Sequence, residues 1–260
     1  MIEKDKLGVT LSGGGFRGVA HLGILQYMQE LGLEIDAVSG ASAGALVGAF
    51  IAQGYTPAEI LRFAQKERFF RYSDILGLNS GLSTEIFEKI IRKYIPHDSF
   101  EGLQIPLYVS VTDMTNAQSL IFNQGCLSFA VKASCSFPMV FQPVLYGDDV
   151  YLCDGGLLNN FPVQPIMDCC TRTIGINVNP INKHEGKFSY TEIVNRIIRI
   201  ATSRATLDGK VALDVYIKPE ELSRYNTFDM RKIDELYQLG YDHALRFEKE
   251  FLILKKNRTK

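Results

Sequence analysis

Near the start of the chain, two short apolar segments each run into glycine and then into a helix-like segment, and this pattern constrains the fold most. Leu7 to Leu11 is typical of a buried strand, and Val19 to Leu31 is typical of the helix after it. Ile35 to Ser39 predicts a second strand, and a helix of small residues follows from about Ser42 to Gln53. Because strands that alternate with helices pair in parallel, we expect a largely parallel sheet with helices on both faces.

The same alternation continues to the end of the chain. Further strands are predicted at 107–111, 119–122, 173–178 and 215–218, with a hairpin over 144–153. Further helices are predicted from 56, at 83–95, at 127–135, from 189 towards 207 and at 229–254. Two of these helices open with a capping box, Thr56–Glu59 and Ser189–Glu192. No linker or repeat interrupts the series, so we predict one three-layer α/β/α domain over residues 1–260, with a mostly parallel central sheet.

Composition and charge exclude several classes of function. The net charge of −1 gives no electrostatic reason to expect nucleic-acid binding. No apolar stretch reaches the roughly 18 residues that a membrane span requires, and we see no signal-peptide pattern, so we expect a cytoplasmic protein. The five cysteines are odd in number and form no C-x-x-C pair, which argues against a disulfide framework. No His/Cys cluster has the spacing of metal ligands, so we expect no metal and no other cofactor.

A candidate nucleophile lies in the turn between the second predicted strand and the helix that follows it. The sequence Gly40-Ala41-Ser42-Ala43-Gly44 has the G-x-S-x-G pattern of a nucleophile elbow, in which the flanking glycines remove side chains that would collide. The pattern alone is weak evidence in a chain with 22 glycines. The strand–turn–helix context gives it weight, because the following helix directs its N–H groups at a developing negative charge.

A run of glycines follows the first predicted strand and has two interpretations. Successive glycines in Gly13-Gly14-Gly15-Phe16-Arg17-Gly18 allow backbone N–H groups to converge on an oxyanion or a phosphate. The same residues satisfy G-x-G-x-x-G, the fingerprint of a dinucleotide-binding protein. That second interpretation needs an acidic residue at the end of the second strand. Glu34 and Asp36 instead stand at its start, which disfavours a nucleotide.

An acidic motif closes a later predicted strand. Asp154-Gly155-Gly156 follows the segment 150–153, and a carboxylate at the carboxyl end of a strand lies where α/β sheets bind ligands. We therefore expect Asp154 and Ser42 to lie at the same edge of the sheet. Taken alone, D-G-G is more often a simple turn.

The three motifs together resemble those of patatin-like phospholipases in their order and approximate separation. Ala133-Ser134-x-x-x-Pro138, ahead of Phe141, is similar to a further stretch in that family, and the resemblance runs from about residue 7 to 163. It implies the patatin-like fold and hydrolysis of acyl esters, often of phospholipids or other lipids, without a cofactor. It also implies a Ser–Asp dyad that lacks histidine. The implied site residues are Ser42 and Asp154 as the dyad, Gly13, Gly14, Gly15, Arg17 and Gly18 as the oxyanion loop, Gly40 and Gly44 in the elbow, and Gly155 and Gly156 after the aspartate.

Two alternatives to this mechanism remain. A Ser–His–Asp esterase needs a histidine, which α/β-hydrolases place after the last strand, but the segment 219–228 contains none. The chain has four histidines, and their positions are more typical of surface or helix-packing residues than of a catalytic base: His21, His97, His184 and His243. A lipid-binding or scaffolding protein on a degenerate hydrolase fold is the non-enzymatic alternative. It is disfavoured because every proposed catalytic position is filled.

The expected partner is a lipid or another acyl ester. The region 55–105 interrupts the strands with helices and resembles the cap over such sites. Within it, Phe69, Phe70 and Tyr72 are interleaved with Arg68 and Arg71, which suits either transient contact with a membrane surface or packing of the cap on its own domain. For Arg17 we also keep two roles open, orienting the glycine loop or meeting a lipid phosphate.

Overall fold

The computed structural model describes residues 5–67, 84–138, 140–181 and 213–258 except 226, 228 and 229, together with positions 183, 186, 188, 193, 196, 197, 200, 202 and 203. Three sequence predictions lie outside these residues: the capping box at 189–192, the aromatic and basic run at 68–72, and the placement of His184.

Eight strands and nine α-helices have defined bounds in the described part of the chain. The strands are β1 Leu7–Leu11, β2 Ala37–Ala41, β3 Leu107–Asp113, β4 Gln118–Phe122, β5 Val144–Tyr146, β6 Val150–Asp154, β7 Arg172–Ile176 and β8 Val215–Ile217. The helices are α1 Val19–Glu30, α2 Ala43–Ala52, α3 Pro57–Glu67, α4 Glu85–Tyr94, α5 Leu127–Ser134, α6 Gly156–Asn159, α7 Gln164–Cys169, α8 Ile233–Ala244 and α9 Glu248–Arg258. Among these helices, none combines the length and the apolar character needed to cross a membrane.

The strands form one mixed sheet that is parallel in its centre. Its order is β5-β6-β3-β2-β1-β7-β8, with β4 paired to β3. Strands β3, β2, β1, β7 and β8 run parallel to one another, whereas β4, β5 and β6 run antiparallel to their neighbours. The predicted mostly parallel sheet with flanking helices is therefore confirmed, and the predicted hairpin is the antiparallel β5–β6 pair.

Strands β2 and β6 lie end to end along the same side of β3. The pairing of β2 with β3 ends at Ala41 opposite Ser110, and the pairing of β6 with β3 starts at Asp154 opposite Val111. Because β4 occupies the other side of β3 over these residues, β2 and β6 must share one side. The two strands run in opposite directions, so their carboxyl ends meet.

This arrangement corrects one step of the sequence argument. We expected Asp154 to reach the site because the carboxyl ends of strands lie at one edge of a parallel sheet. Strand β6 is antiparallel to β3, so that rule does not apply to it. The carboxyl end of β6 reaches the carboxyl end of β2 because the two strands are collinear.

Two predicted boundaries also change. Strand β2 covers Ala37–Ala41 rather than 35–39, and the Asp36 carboxylate just before it accepts the N–H of Leu7 at 2.7 Å. The predicted helix over 229–254 is divided into α8 and α9 by a 3-10 turn at Leu245–Phe247. The capping box before α3 is confirmed, because the Thr56 N–H and the Glu59 carboxylate bond at 2.9 Å and the return bond from Glu59 N–H to Thr56 Oγ1 is 3.3 Å.

The C-terminal helix α8 packs closely against α1, the helix that follows the glycine loop. A Cβ atom at Gly23 would lie 2.0 Å from the carbonyl oxygen of Tyr237, and one at Gly240 would lie 2.1 Å from that of Ala20. Only glycine fits at these two positions, because real Cβ atoms do not approach backbone so closely. The C-terminal part of the chain is thereby held next to the glycine loop.

Candidate active site

Ser42 occupies a strained turn between β2 and α2. Its backbone has φ 51° and ψ −121°, and a positive φ is costly for a residue with a side chain. The Ser42 N–H donates to the hydroxyl of Ser134 at 2.8 Å, and that buried hydroxyl donates to the carbonyl of Ser110 at 2.7 Å. Ser134, at the end of α5, therefore links the turn to β3 and stabilises its unusual conformation.

The glycines on either side of Ser42 are required by close backbone contacts. A Cβ at Gly40 would lie 2.5 Å from the carbonyl carbon of Gly44. A Cβ at Gly44 would lie 2.2 Å from the carbonyl oxygen of Leu11. The G-x-S-x-G pattern thus lets the start of α2 approach both its own strand and β1.

The Asp154 carboxylate lies against Ser42 in a buried position. Asp154 is 2% exposed, its Oδ1 accepts the Gly156 N–H at 2.7 Å, and the Ser42 hydroxyl is close enough to lower its pKa. Burial raises the pKa of Asp154 from 3.8 to about 6, because the loss of water outweighs the stabilisation of the ionised form by the Ser42 hydroxyl and the Gly156 N–H. The backbone N–H of Asp154 donates to the carbonyl of Ser136 at 3.0 Å. The short segment 134–136 therefore contacts both residues of the pair.

The turn after Asp154 depends on glycine in the same way as the serine turn. A Cβ at Gly155 would lie 2.2 Å from the carbonyl oxygen of Ser110. A Cβ at Gly156 would lie 2.9 Å from Oδ1 of Asp154. A side chain at either position would displace the carboxylate or the strand beside it.

The glycine loop packs on the start of α2 and is tied down at both ends. The Gly13 N–H donates to the carbonyl of Asn160 at 3.2 Å, and the Phe16 N–H donates to the carbonyl of Thr227 at 2.9 Å. A Cβ at Gly18 would lie 2.6 Å from the Cβ of Ala43, so this glycine permits close contact with the residue after the nucleophile.

The carbonyls of the loop are held by two polar side chains, those of Asn179 and Arg17. The Gly13 carbonyl accepts the side-chain N–H of Asn179, and the Gly14 carbonyl accepts Nε of Arg17 at 3.4 Å. In a trans peptide the next N–H points opposite to the carbonyl. The N–H groups of Gly14 and Gly15 are therefore directed away from Arg17 and Asn179, and both glycines line the cavity together with Ser42 and Asp154.

Arg17 is a buried cation that bonds to the loop. It is 2% exposed, and its Nη2 donates to Oδ1 of Asn179 at 2.6 Å. Of its two predicted roles, the geometry favours orienting the loop.

Asn179 is a site residue that the sequence analysis missed. It follows β7, which lies beside β1, and its side chain contacts Arg17, the Gly13 carbonyl and the Ser12 hydroxyl. Asn179 carries no motif, and 166 residues separate it from Gly13. The available signal was its place at the carboxyl end of a predicted strand.

A cavity of about 560 Å³ opens beside Ser42 and Asp154, within the size range of ligand pockets. Much of its wall is aromatic or aliphatic, and the rings of Phe50 and Phe63 lie 6.0 Å apart while those of Phe87 and Phe141 lie 5.5 Å apart. Such a wall suits an acyl chain, because burying apolar surface provides the binding energy.

The histidines in the described part of the chain are held elsewhere. Nε2 of His21 donates to the carbonyl of Ser12 at 2.9 Å, and burial lowers the pKa of His21 to about 4. His97 bonds to Oε1 of Gln53 at 2.7 Å, and Nδ1 of His243 faces Glu221 at 3.7 Å. None of these three bonds to Ser42 or Asp154, which weighs against a Ser–His–Asp esterase.

The acid required for nucleotide binding is also misplaced. Asp36 bonds to the N–H of Leu7 at the amino end of β1, opposite to the end where the glycine loop begins. Within the residues that the structure describes, no group of three or more His, Cys, Asp or Glu side chains is arranged to hold a metal ion.

Comparisons with known proteins bear on the family and the fold of this chain. The family profile described as patatin-like phospholipase matches residues 9–167. Lysophospholipase NTE1 of Debaryomyces hansenii is 26% identical over 279 residues, which cover 94% of this chain and 18% of the yeast protein. An uncharacterized NTE family protein of Mycobacterium tuberculosis is 33% identical over 168 residues, covering 63% of this chain and 28% of that protein. The chain thus spans less than a third of either relative.

Two solved structures share the fold. VipD from Legionella pneumophila superposes with a TM-score of 0.54 at 17% identity, covering 94% of this chain and 66% of VipD. Human GIVD cytosolic phospholipase A2 superposes with a TM-score of 0.51 at 9% identity, covering 98% of this chain and 60% of the human protein. At such low identities the likeness shows the fold alone.

Proposed function

Because this chain belongs to the patatin-like phospholipase family, we propose that it hydrolyses carboxylic esters of lipids, with Ser42 as nucleophile and Asp154 as base. One observation carries the proposal: the Ser42 hydroxyl lies next to the buried Asp154 carboxylate and lowers its pKa, and both residues line a largely apolar cavity. An apolar cavity receives the acyl chain, and the hydroxyl–carboxylate pair supplies a nucleophile together with a group that takes its proton.

The proposed reaction is acyl transfer in two steps. Ser42 Oγ attacks the ester carbonyl while Asp154 accepts its proton, and Asp154 returns that proton to the departing alcohol. Water, deprotonated by the same carboxylate, then attacks the acyl-enzyme; the bond to Ser42 Oγ breaks, Asp154 returns the proton to Ser42, and the fatty acid is released. A carboxylate whose pKa is about 6 is mostly ionised at pH 7, and it is a stronger base than an exposed aspartate.

The glycine loop supports this weak base by stabilising the oxyanion. The N–H groups of Gly14 and Gly15 point away from the carbonyls held by Asn179 and Arg17, so they are available to the carbonyl oxygen as it becomes negative. We assign Asn179 as a positioning residue, because its side chain fixes the Gly13–Gly14 peptide and also accepts from Arg17.

A lysophospholipid is the substrate that the relatives favour. The yeast relatives that align with 94% of this chain are named lysophospholipases, and the aromatic wall of the cavity is suited to one acyl chain. We further propose that the protein is cytoplasmic, forms one domain and contacts membranes only transiently. The support for membrane contact is the aromatic and basic run at 68–72, for which packing within the domain is the alternative.

A fluorophosphonate probe tests the proposed nucleophile directly. Wild-type protein should be labelled on Ser42 and Ser42→Ala should not, with thermal melts showing that both are folded. Labelling that persists in Ser42→Ala would place the reactive group elsewhere. An unlabelled wild-type protein would instead favour a lipid-binding or nucleotide-binding role.

A further inference from the structure

The cavity has a polar side next to the glycine loop. The carbonyl of Thr227 accepts the N–H of Phe16 at 2.9 Å, so the segment after β8 covers the loop and contributes to the same wall. Within this segment Ser223, Arg224 and Tyr225 line the cavity. Arg17 and Arg224 are the cations among its described lining residues, and Asp154 is the carboxylate. An anionic group of a ligand is therefore favoured on this side.

Arg17 is poorly placed to bind a substrate phosphate. Its guanidinium is buried and bonds to the Gly14 carbonyl and to Oδ1 of Asn179. Two of its nitrogens hold the glycine loop, and its burial separates the guanidinium from a headgroup that remains in contact with water. The second arginine of the wall is thus the better candidate for an anion.

Arg224 lies among acidic residues that are already paired with other cations. Lys218 bonds to Glu220 at 2.7 Å, Arg246 to Glu221 at 3.3 Å and Lys232 to Glu235 at 2.6 Å. Over the residues that the structure describes, Arg224 itself forms no ion pair. Its charge is available to a ligand.

The backbone that carries Arg224 is anchored on both sides. Leu222 is fully buried, and the hydroxyl of Tyr225 bonds to Glu235 at 2.5 Å. Thr227 is fixed to the glycine loop three positions after Arg224. An exposed arginine on such a segment loses little backbone freedom when it binds a ligand.

We propose that Arg224 binds the phosphate of the lipid substrate and makes the site prefer phospholipid esters over neutral esters. The proposal rests on the proposed lipid-ester hydrolysis and adds the residue that recognises the headgroup. Arginine suits this role because its planar guanidinium can donate two parallel hydrogen bonds to phosphate oxygens. With the acyl chain along the aromatic wall and the phosphate at Arg224, the ester between them would lie beside Ser42.

The test compares two substrates with the same acyl chain. Octanoyl lysophosphatidylcholine and mono-octanoylglycerol, both below their micelle concentrations, are hydrolysed by wild type, Arg224→Gln and Arg246→Gln. Arg246 is the matched control, because it is an exposed arginine of the same C-terminal region that pairs with Glu221 and does not line this cavity.

In Arg224→Gln the ratio of kcat/KM for the phospholipid to kcat/KM for the neutral ester should fall by roughly three- to tenfold, through a higher KM for the phospholipid. In Arg246→Gln the ratio should stay at the wild-type value. An unchanged ratio in Arg224→Gln, or an equal fall in Arg246→Gln, would overturn the proposal.

A binding measurement separates this proposal from the proposed hydrolysis. If wild type cleaves neither ester, the hydrolysis is wrong, and the headgroup site is tested with a non-hydrolysable ether analogue of the lysophospholipid. The Kd of the analogue should be roughly three- to tenfold higher for Arg224→Gln than for wild type. Equal Kd values would contradict the proposed phosphate-binding role of Arg224, whether or not the protein hydrolyses esters.

Discussion

Two neighbouring strands each end in a buried aspartate, and the pKa values of the two carboxyl groups are shifted in opposite directions. Asp113 ends β3 and is 5% exposed, while Asp154 ends β6 and is 2% exposed. Hydrogen bonds from the Asn116 side chain (2.8 Å) and backbone (2.9 Å) lower the pKa of Asp113. Burial raises the pKa of Asp154, although the Gly156 N–H donates to it and the Ser42 hydroxyl lies beside it.

The difference shows that residue type and strand position do not define a base. Asp113 is satisfied by donors within its own turn, so its ionised form is stable and its proton affinity is low. Asp154 is withdrawn from water with fewer donors, so it retains affinity for a proton next to a hydroxyl. Local supply of hydrogen-bond donors separates a structural carboxylate from a candidate catalytic one.

The largest effect is expected from exchanging each carboxylate for its amide. Asp154→Asn should reduce hydrolysis of a soluble acyl ester by at least roughly 10³-fold, because an amide cannot take the serine proton. Asp113→Asn should leave hydrolysis within about twofold of wild type, since Asp113 does not line the cavity and lies outside the dyad. Steady-state kinetics of the purified variants, with thermal melts, provide the measurement.

Histidine variants complete this comparison. His21→Gln, His97→Gln, His184→Gln and His243→Gln should each keep substantial activity. A folded histidine variant as inactive as Asp154→Asn would replace the dyad by a triad.

The sequence predicted the fold class and three motifs of the candidate site, but not how they meet. Ser42, Asp154 and the glycine loop carry local patterns, and each pattern follows from the backbone geometry of one turn. The approach of Asp154 to Ser42 depends on β6 being collinear with β2, a long-range pairing that no local pattern encodes. Asn179 and Arg224 were likewise not recognised, and Ser134 was noted only within a stretch similar to the family, because their importance arises from contacts between distant segments.

The next effect concerns Asn179, and the comparison again supplies the control. Asn179→Asp keeps an acceptor for Arg17 but removes the donor to the Gly13 carbonyl. The loop should lose its orientation and kcat should fall roughly ten- to hundredfold, with a smaller change in KM, since one oxyanion donor is worth about 10²–10³. The same exchange in the other region, Asn116→Asp, should leave kcat near the wild-type value. Similar losses in the two variants would remove the positioning role from Asn179.

A smaller, graded effect is expected from pH. The base must be ionised, so kcat/KM should fall about tenfold per pH unit below the pKa of Asp154, which is about 6, and level off above pH 7. Asp113→Asn should show the same inflection, because the pKa of Asp113 is lowered and this group stays ionised over that range. An inflection that moves in Asp113→Asn, or a profile that is flat from pH 5 to 8, would contradict the assignment of Asp154.

The smallest effect is on stability. At pH 7, Asp154→Asn and Asp113→Asn should change the free energy of unfolding in opposite directions. The folded-state pKa of Asp154 lies above its unfolded value of 3.8, so ionising it opposes folding. This cost is absent at pH values well below 3.8, grows as the pH rises towards about 6 and is constant above. Since one pKa unit corresponds to about 1.4 kcal/mol, Asp154→Asn should raise the free energy of unfolding by roughly 1–3 kcal/mol at pH 7, and by less at pH 5.

The folded-state pKa of Asp113 lies below its unfolded value, so its ionised form favours folding. That contribution is present above the unfolded pKa and is lost as the pH falls through the folded pKa. Asp113→Asn should therefore lower the free energy of unfolding at pH 7. Urea unfolding of wild type and both variants at pH 7 and pH 5 measures whether each substitution raises or lowers the free energy of unfolding. If Asp154→Asn is no more stable than wild type at pH 7, the carboxylate is better solvated than its burial indicates. The two aspartates would then differ only in their position in the fold and not in the direction of their pKa shifts.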